Sequence, residues 1–187
     1  MSKKFAMDFI KKNVLKCEKC SLYKTRIKPV FGEGFLDADI MFIGEAPGKN
    51  EDIYGRPFIG RAGKILDEML DSIGIKRNEV FISNIIKCRP PKNRDPTKDE
   101  ISICSSYIDK QIEIINPKII ILLGRIAIYY IFNKYKIEIE KINKIHGRVY
   151  SINNSKIIPI YHPAAVIYNN KLKEILLEDF KLIKDKI

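Results

Sequence analysis

The sequence predicts an α/β fold, a three-layer sandwich in which a central four-stranded parallel sheet is flanked by helices. Three observations carry this. Short β-branched runs alternate with longer stretches of helical periodicity, the order of successive strand–helix–strand units. The runs are apolar throughout, as in strands buried on both faces. The chain has 187 residues, a length that suits one domain, 1–187, able to bury a core without disulfide staples.

The elements follow in order. Residues 2–14 read as a helix. Asp39-Ile-Met-Phe-Ile43 is the first strand and ends at Gly44. Arg61 to Ile73 carries Ile65, Leu66, Met69, Leu70 and Ile73 at helical spacing and is stopped by Gly74. Val80-Phe-Ile82 begins a second strand. Thr97 with Glu100 forms the capping box of a helix that runs to about Ile115, before Asn116-Pro117. Lys118-Ile-Ile-Ile-Leu-Leu123 is the third strand, and Gly124 then opens a helix through about Asn133. Ile157-Ile-Pro-Ile-Tyr161 is the fourth; Pro159 lacks an N–H, which argues for an edge or an irregular ladder. A last helix fills about Asn170–Lys184. No repeat, linker or low-complexity stretch interrupts the pattern.

Composition narrows the function. Apolar residues make up 45% and charged residues 30%, a globular balance. No apolar run approaches the ~20 residues that cross a bilayer, and the start lacks a signal-peptide core. The expectation is a cytoplasmic protein. The formal net charge is +11, which points to a polyanionic partner. The charge is clustered: residues 1–30 hold nine basic residues against Asp8 and Glu18, and Lys87, Arg89, Lys92, Arg94 and Lys98 crowd a second stretch. Such clusters suit a phosphate-tracking surface. Abundant Lys, Glu and Ile fit a heat-adapted source.

The four cysteines are Cys17, Cys20, Cys88 and Cys104. The first two form a C-x-x-C, but the other two lie too far apart for a second zinc knuckle. The C-x-x-C is ringed by lysines and does not follow a strand, unlike a redox dithiol. An iron–sulfur cluster, a zinc site and unrelated buried thiols all remain consistent with this spacing.

Each predicted strand ends in a polar signal: Gly44-Glu-Ala-Pro-Gly48, Ser83-Asn84, Gly124-Arg125 and His162-Pro163. Parallel α/β sheets bind ligands outside the carboxyl ends of their strands, so these four signals converge on one crevice. Phe58, between Gly55 and Gly60, is placed either to stack on a base or to join the core. Cys88 sits inside the basic, proline-stiffened loop Lys87–Arg94.

These pieces together resemble the family-four uracil-DNA glycosylases, the iron–sulfur branch of that superfamily. The resemblance runs through Cys17-x-x-Cys20, Gly44-Glu-Ala-Pro-Gly48, Gly55-Arg-Pro-Phe-x-Gly60, Asn84 with Lys87-Cys-Arg-Pro-Pro91, Cys104, Leu123-Gly124 and His162-Pro-Ala-Ala165, in order. It implies a [4Fe-4S] cluster on Cys17, Cys20, Cys88 and Cys104, and removal of uracil from DNA to leave an abasic site. It implies that Glu45 and His162 are catalytic, Glu45 positioning water in a loop with Gly44 and Ala46. Asn84 is expected to hydrogen-bond the uracil edge, Phe58 to stack on it, and Glu51 to crowd out a thymine methyl group. Arg89, Lys92 and Arg94 are expected to grip DNA, with Val166 as the wedge filling the emptied stack.

The residue types suit this chemistry. A base inside a duplex must be flipped out. A preorganised donor such as His162 suits the anion that develops on uracil O2, and a carboxylate suits the cationic sugar. The departures are specific. Ala46 stands where a better-known branch has Asp, and Val166-Ile-Tyr-Asn-Asn170 replaces the family's Leu, Arg and Pro. The Lys92–Pro96 loop has no His, which favours turnover over covalent trapping. His146-Gly147-Arg148 is either a further DNA-facing loop or a plain turn. The competing readings are an iron–sulfur nucleic-acid-binding module without catalysis and a glycosylase for another deaminated base such as hypoxanthine. A monomer is expected; the sequence is silent on protein partners such as a sliding clamp.

Overall fold

The computed structural model describes residues 2–186. In chain order the elements are α1 Lys3–Leu15, β1 Glu33–Gly34, β2 Ile40–Gly44, α2 Lys49–Tyr54, α3 Arg61–Ser72, β3 Phe81–Asn84, α4 Lys98–Ile115, β4 Ile119–Leu123, α5 Arg125–Tyr135, α6 Ile142–Ile145, β5 Tyr150–Ile152, β6 Ser155–Ile160, α7 Ala164–Tyr168 and α8 Leu172–Lys184. The sheet order is β1-β3-β2-β4-β6-β5. The central four strands are parallel, as expected. The sheet nevertheless has six strands, not four, because β1 and β5 add an antiparallel strand at each edge.

Both added strands are short, two residues in β1 and three in β5, too few to show a strand pattern in the sequence. β5 is joined to β6 by Asn153-Asn154, with Asn153 at φ +51. Asparagine tolerates that left-handed geometry, which the two-residue hairpin requires. Pro159 is accommodated for a local reason. The β5 ladder reaches only to Ile157, and beyond it Gly147 N–H donates to the Pro159 carbonyl. The carbonyl and nitrogen of a strand residue face the same side. The missing N–H therefore points to the open edge, while the other side stays in register with β4.

Two apolar layers sandwich the sheet. Met41, Ile43, Ile120 and Leu122 face α1, α4 and α5. Phe42, Ile82, Ile121 and Leu123 face α3 and α8, where Phe42 stacks on Phe180 at 5.8 Å. Period-two alternation along strands whose two faces are both covered explains why their sequences read as unbroken apolar runs. The Thr97–Glu100 capping box opens α4 as predicted. Among the described residues, no helix is long and apolar enough to cross a membrane.

Candidate functional site

At the carboxyl edge of the four parallel strands lies a cavity of about 430 Å³, lined by Glu45, Glu51, Phe58, Asn84, His162 and Tyr168 among others. Its size is that of a small-molecule site. Gly44 and Asn84 pair side by side where β2 and β3 end. A Cβ on Gly44 would lie 2.4 Å from Asn84 Oδ1 and 2.6 Å from the Phe58 ring, so glycine alone leaves both groups on the floor. Asn84 is 1% exposed, and its Oδ1 has no hydrogen-bond partner. An unpaired buried acceptor costs about 1–3 kcal/mol, which a ligand bringing a donor would recover.

His162 follows β6. Its Nδ1 accepts the Ala164 N–H at 3.1 Å. Burial pulls its pKa down to about 4, with Glu51 pulling the other way. The ring is therefore neutral near pH 7. With Nδ1 accepting, its proton sits on Nε2. Phe58 stacks on this imidazole, centroids 5.6 Å apart. Phe58 belongs to the core and also lines the cavity. It is held at φ +48, a left-handed conformation that costs a bulky residue roughly 1–3 kcal/mol. Strain of this kind persists where packing over-determines it, and here it fixes one wall.

Glu45 Oε1 accepts the Ile126 N–H at 3.0 Å. It thus caps α5, whose N-cap Gly124 has no side chain to do so. Burial raises the Glu45 pKa, opposed by the α5 amides and by Arg125. A Cβ on Gly124 would meet Glu45 Oε1 at 2.7 Å and His162 Cβ at 2.8 Å. Gly124, at φ +89, keeps those two side chains on either side of one gap. The half-buried Ala46 completes the loop beside them.

The family model described as the uracil DNA glycosylase superfamily matches residues 31–181. The chain belongs to that superfamily. It is 51% identical over 185 residues to a type-4 uracil-DNA glycosylase of Sulfurisphaera tokodaii, covering 96% of this chain and 84% of the relative. It is 47% identical over 182 residues to one of Archaeoglobus fulgidus, covering 95% and 92%. It is 27% identical over 192 residues to a type-5 uracil-DNA glycosylase of Pyrobaculum aerophilum, covering 87% and 84%.

In this member of the uracil-DNA glycosylase superfamily, several expected residues take different positions. Val166, expected as the wedge, is 7% exposed and packed in the α3–α8 layer rather than presented at the surface. Two residues further on, Tyr168 is 86% exposed at the cavity mouth. Arg94 reaches both oxygens of Glu100, at 2.8 and 2.7 Å, and braces the start of α4. Lys92 is exposed and Arg89 half-buried, held by Asn93 Oδ1 at 2.7 Å. Glu51 lines the cavity, but its carboxylate is taken by main-chain amides: Gly48 at 3.1 Å, Ile59 at 2.9 Å and Gly60 at 2.7 Å. It joins the Gly44–Gly48 loop to the loop carrying Phe58. His146 is paired with Asp179 at 3.0 Å on α8 rather than turned to the cavity.

The four cysteines are free thiols in one region, Cys17 and Cys20 packed on the core layer that contains Cys88 and Cys104. Burial raises the Cys88 and Cys104 pKa values, Cys104 to about 11. Arg26 donates to Cys88 Sγ at 3.2 Å and the Lys87 N–H to Cys104 Sγ at 3.3 Å. Among the described residues, no group of three His, Cys, Asp or Glu is arranged to hold a single metal ion. A four-iron cluster needs a wider set, one thiolate per iron, with N–H···S bonds tuning the sulfurs. The donor set fits that group. A larger groove of about 880 Å³ shares Asp95 and Pro96 with the site's rim, but its walls mix isoleucines with surface charges and hold none of these groups.

Proposed function

We propose that the protein flips uracil out of DNA and hydrolyses its N-glycosidic bond, leaving an abasic site. One observation carries this reading: a neutral His162 with its proton on Nε2 shares a cavity with the orphan acceptor Asn84 Oδ1. Uracil complements both. Its O2 accepts from Nε2–H, its N3–H donates to Oδ1, and its O4 accepts from the Asn84 amide. Cytosine has an unprotonated N3 and an amino group at those positions and leaves Asn84 unpaired.

The extruded base stacks against Phe58 over the side-chain-free floor at Gly44 and Ala46. The N1–C1′ bond breaks with its electron pair staying on uracil, and His162 Nε2–H stabilises the charge gathered at O2. Glu45, with Oε1 held by α5, orients a water through its other oxygen and opposes the cationic sugar. The water oxygen bonds to C1′, and its proton passes to the Glu45 carboxylate, whose raised pKa favours acceptance. Glu51 stiffens the wall that meets C5, so a thymine methyl group has no room.

Lys92 and Arg89 contact phosphates, and Tyr168, in place of Val166, fills the emptied stack. Cys17, Cys20, Cys88 and Cys104 hold a [4Fe-4S] cluster that ties the basic N-terminal segment, the Cys88 loop and α4 together. Residues 1–187, of which Met1 and Ile187 lie outside the described residues, act as one domain, a cytoplasmic monomer on uracil-containing DNA.

The test is a panel of duplexes bearing uracil, thymine, cytosine or hypoxanthine at one position, incubated with enzyme, treated with alkali and resolved by length. The reading expects strand scission at uracil alone. Equal scission at hypoxanthine would favour a broader glycosylase. Binding without scission would leave a nucleic-acid-binding module.

A further inference from the structure

Lys87 is 1% exposed, buried directly behind the base-reading residue. Its Nζ donates to Ser83 Oγ at 2.7 Å, to the Asn84 carbonyl at 2.7 Å and to Gln111 Oε1 at 2.8 Å. Three oxygens around one nitrogen match the three donors of an ammonium, a form that burial disfavours by pulling the Lys87 pKa down to about 7. Gln111 is itself oriented by donating to the Phe31 carbonyl at 2.9 Å, which leaves its oxygen facing Lys87. None of these acceptors carries a charge. A buried cation without an anion is costly, and its retention here asks for a reason.

The surroundings supply one. β1 pairs only with Phe81 and Ile82, so no strand flanks Asn84 on that side, and the Lys87 ammonium supplies a donor to its carbonyl. The other end of the same residue, its main-chain N–H, donates to Cys104 Sγ. One residue therefore bonds at once to the backbone of the orphan-bearing asparagine and to the cysteine cage. A thiolate at Cys104 would be the anion that favours the ammonium form, raising the Lys87 pKa against burial.

We propose that Lys87 is a positioning residue: it fixes the Asn84 backbone so that Oδ1 meets the base edge, and it couples that fix to the cysteine cage. The proposal rests on the reading of Asn84 as the base-reading group and of the four cysteines as cluster ligands. Its consequence is specific. Loss of the ammonium should impair the chemical step and base discrimination, leave duplex affinity alone, and shift the cluster electrostatically.

The experiment compares Lys87→Met, Lys87→Met/Gln111→Leu and Asn84→Ala with the unaltered holoenzyme. In the single variant Gln111 Oε1 keeps only the Ser83 hydroxyl as donor, at 3.0 Å; the double variant removes that weakened acceptor and should recover stability. It is also the variant to read if the single one does not fold. Melting temperature, duplex affinity, single-turnover uracil release and the reduction potential of the cluster are measured on each.

The expected result is a single-turnover rate roughly ten- to a hundredfold lower in both Lys87 variants, with affinity within about twofold. Melting temperature returns in the double variant while the rate does not, and the cluster potential becomes more negative because a nearby positive charge is gone. A rate that recovers together with melting temperature would reduce Lys87 to a structural role and overturn the proposal. So would wild-type rates in Lys87→Met alongside a slow Asn84→Ala. Wild-type rates in Asn84→Ala itself would instead overturn the reading of the site. An unchanged potential would break the link to the cage.

Discussion

Gly44→Ala tests the floor of the site with a single methyl group. Gly44 has no positive φ, so alanine meets no backbone strain there. The added Cβ would lie 2.4 Å from Asn84 Oδ1 and 2.6 Å from Phe58 Cζ, where ordinary contact begins near 3.4 Å. Asn84 and the Phe58 ring must therefore retreat by about 1 Å. Phe58 is already strained and backed by α3. A Cβ at Gly63 would lie 1.9 Å from the Phe58 carbonyl oxygen, so that backbone has no space to move into. Asn84 is held from behind by Lys87.

A misplacement of about 1 Å in a catalytic constellation costs on the order of 10²-fold, equivalent to about 2.7 kcal/mol. Overpacking adds a stability loss of about 1–3 kcal/mol. Single-turnover release of uracil with enzyme in excess reads the chemical step alone, and fluorescence anisotropy of a labelled duplex reads affinity. The account expects a rate about a hundredfold lower with affinity little changed, since no phosphate contact touches Gly44. A Gly44→Ala enzyme at wild-type rate would mean that Asn84 and Phe58 do not form the floor on which the base rests.

Other expectations follow from the same geometry. Glu45 titrates above the ordinary carboxylate value and His162 only near 4, so falling pH should silence Glu45 first; a pH–rate profile should show an acid limb that vanishes in Glu45→Gln. Tyr168→Ala should slow uracil release from duplex but not from single strands, whereas Val166→Ala should lower melting temperature and leave that ratio unchanged. Lys92→Ala should flatten the slope of log affinity against log salt by roughly 0.9 per lost phosphate contact. Arg94→Ala should instead act on stability. The Arg94 guanidinium, hydrogen-bonded to it, holds the Glu100 pKa below the usual carboxylate value, so this stabilisation is complete above about pH 4.5. It is lost as pH falls through the lowered folded value, and Arg94→Ala should remove that part of the acid dependence from thermal melts.

The central sheet was legible because burial on both faces leaves an unbroken apolar run: Lys118–Leu123 was expected and Ile119–Leu123 is found. The edge strands were not, since two or three residues that pair on one side need no pattern of their own; the Asn153-Asn154 turn was the available signal for β5. At the site, Glu45, Asn84 and His162 were placed correctly at one strand edge because the parallel topology sends every strand end there. Side-chain direction was beyond sequence reasoning. Val166 and Tyr168 lie two residues apart on one short helix, and only the packing of α7 on α3 and α8 decides which is buried. Glu51 and Arg94 carry charge that sequence assigns to ligands, yet both serve main-chain or helix-start geometry. Lys87 was counted with the phosphate-binding cluster and is buried, because its neighbours Ser83 and Gln111 come together only in the fold.

The central claim is that one cavity, built by Glu45, Asn84 and His162, breaks the bond between uracil and deoxyribose. Single-turnover cleavage of a uracil-containing duplex by wild type, His162→Ala and Glu45→Gln tests it most directly. The account predicts uracil release by wild type and a fall of about 10²–10³ in rate for His162→Ala, the usual cost of a lost donor to a developing oxyanion. It predicts a fall of at least roughly tenfold for Glu45→Gln, about 1.4 kcal/mol, with folding and duplex affinity retained in both. Near wild-type rates in both variants would put the chemistry elsewhere and contradict the account.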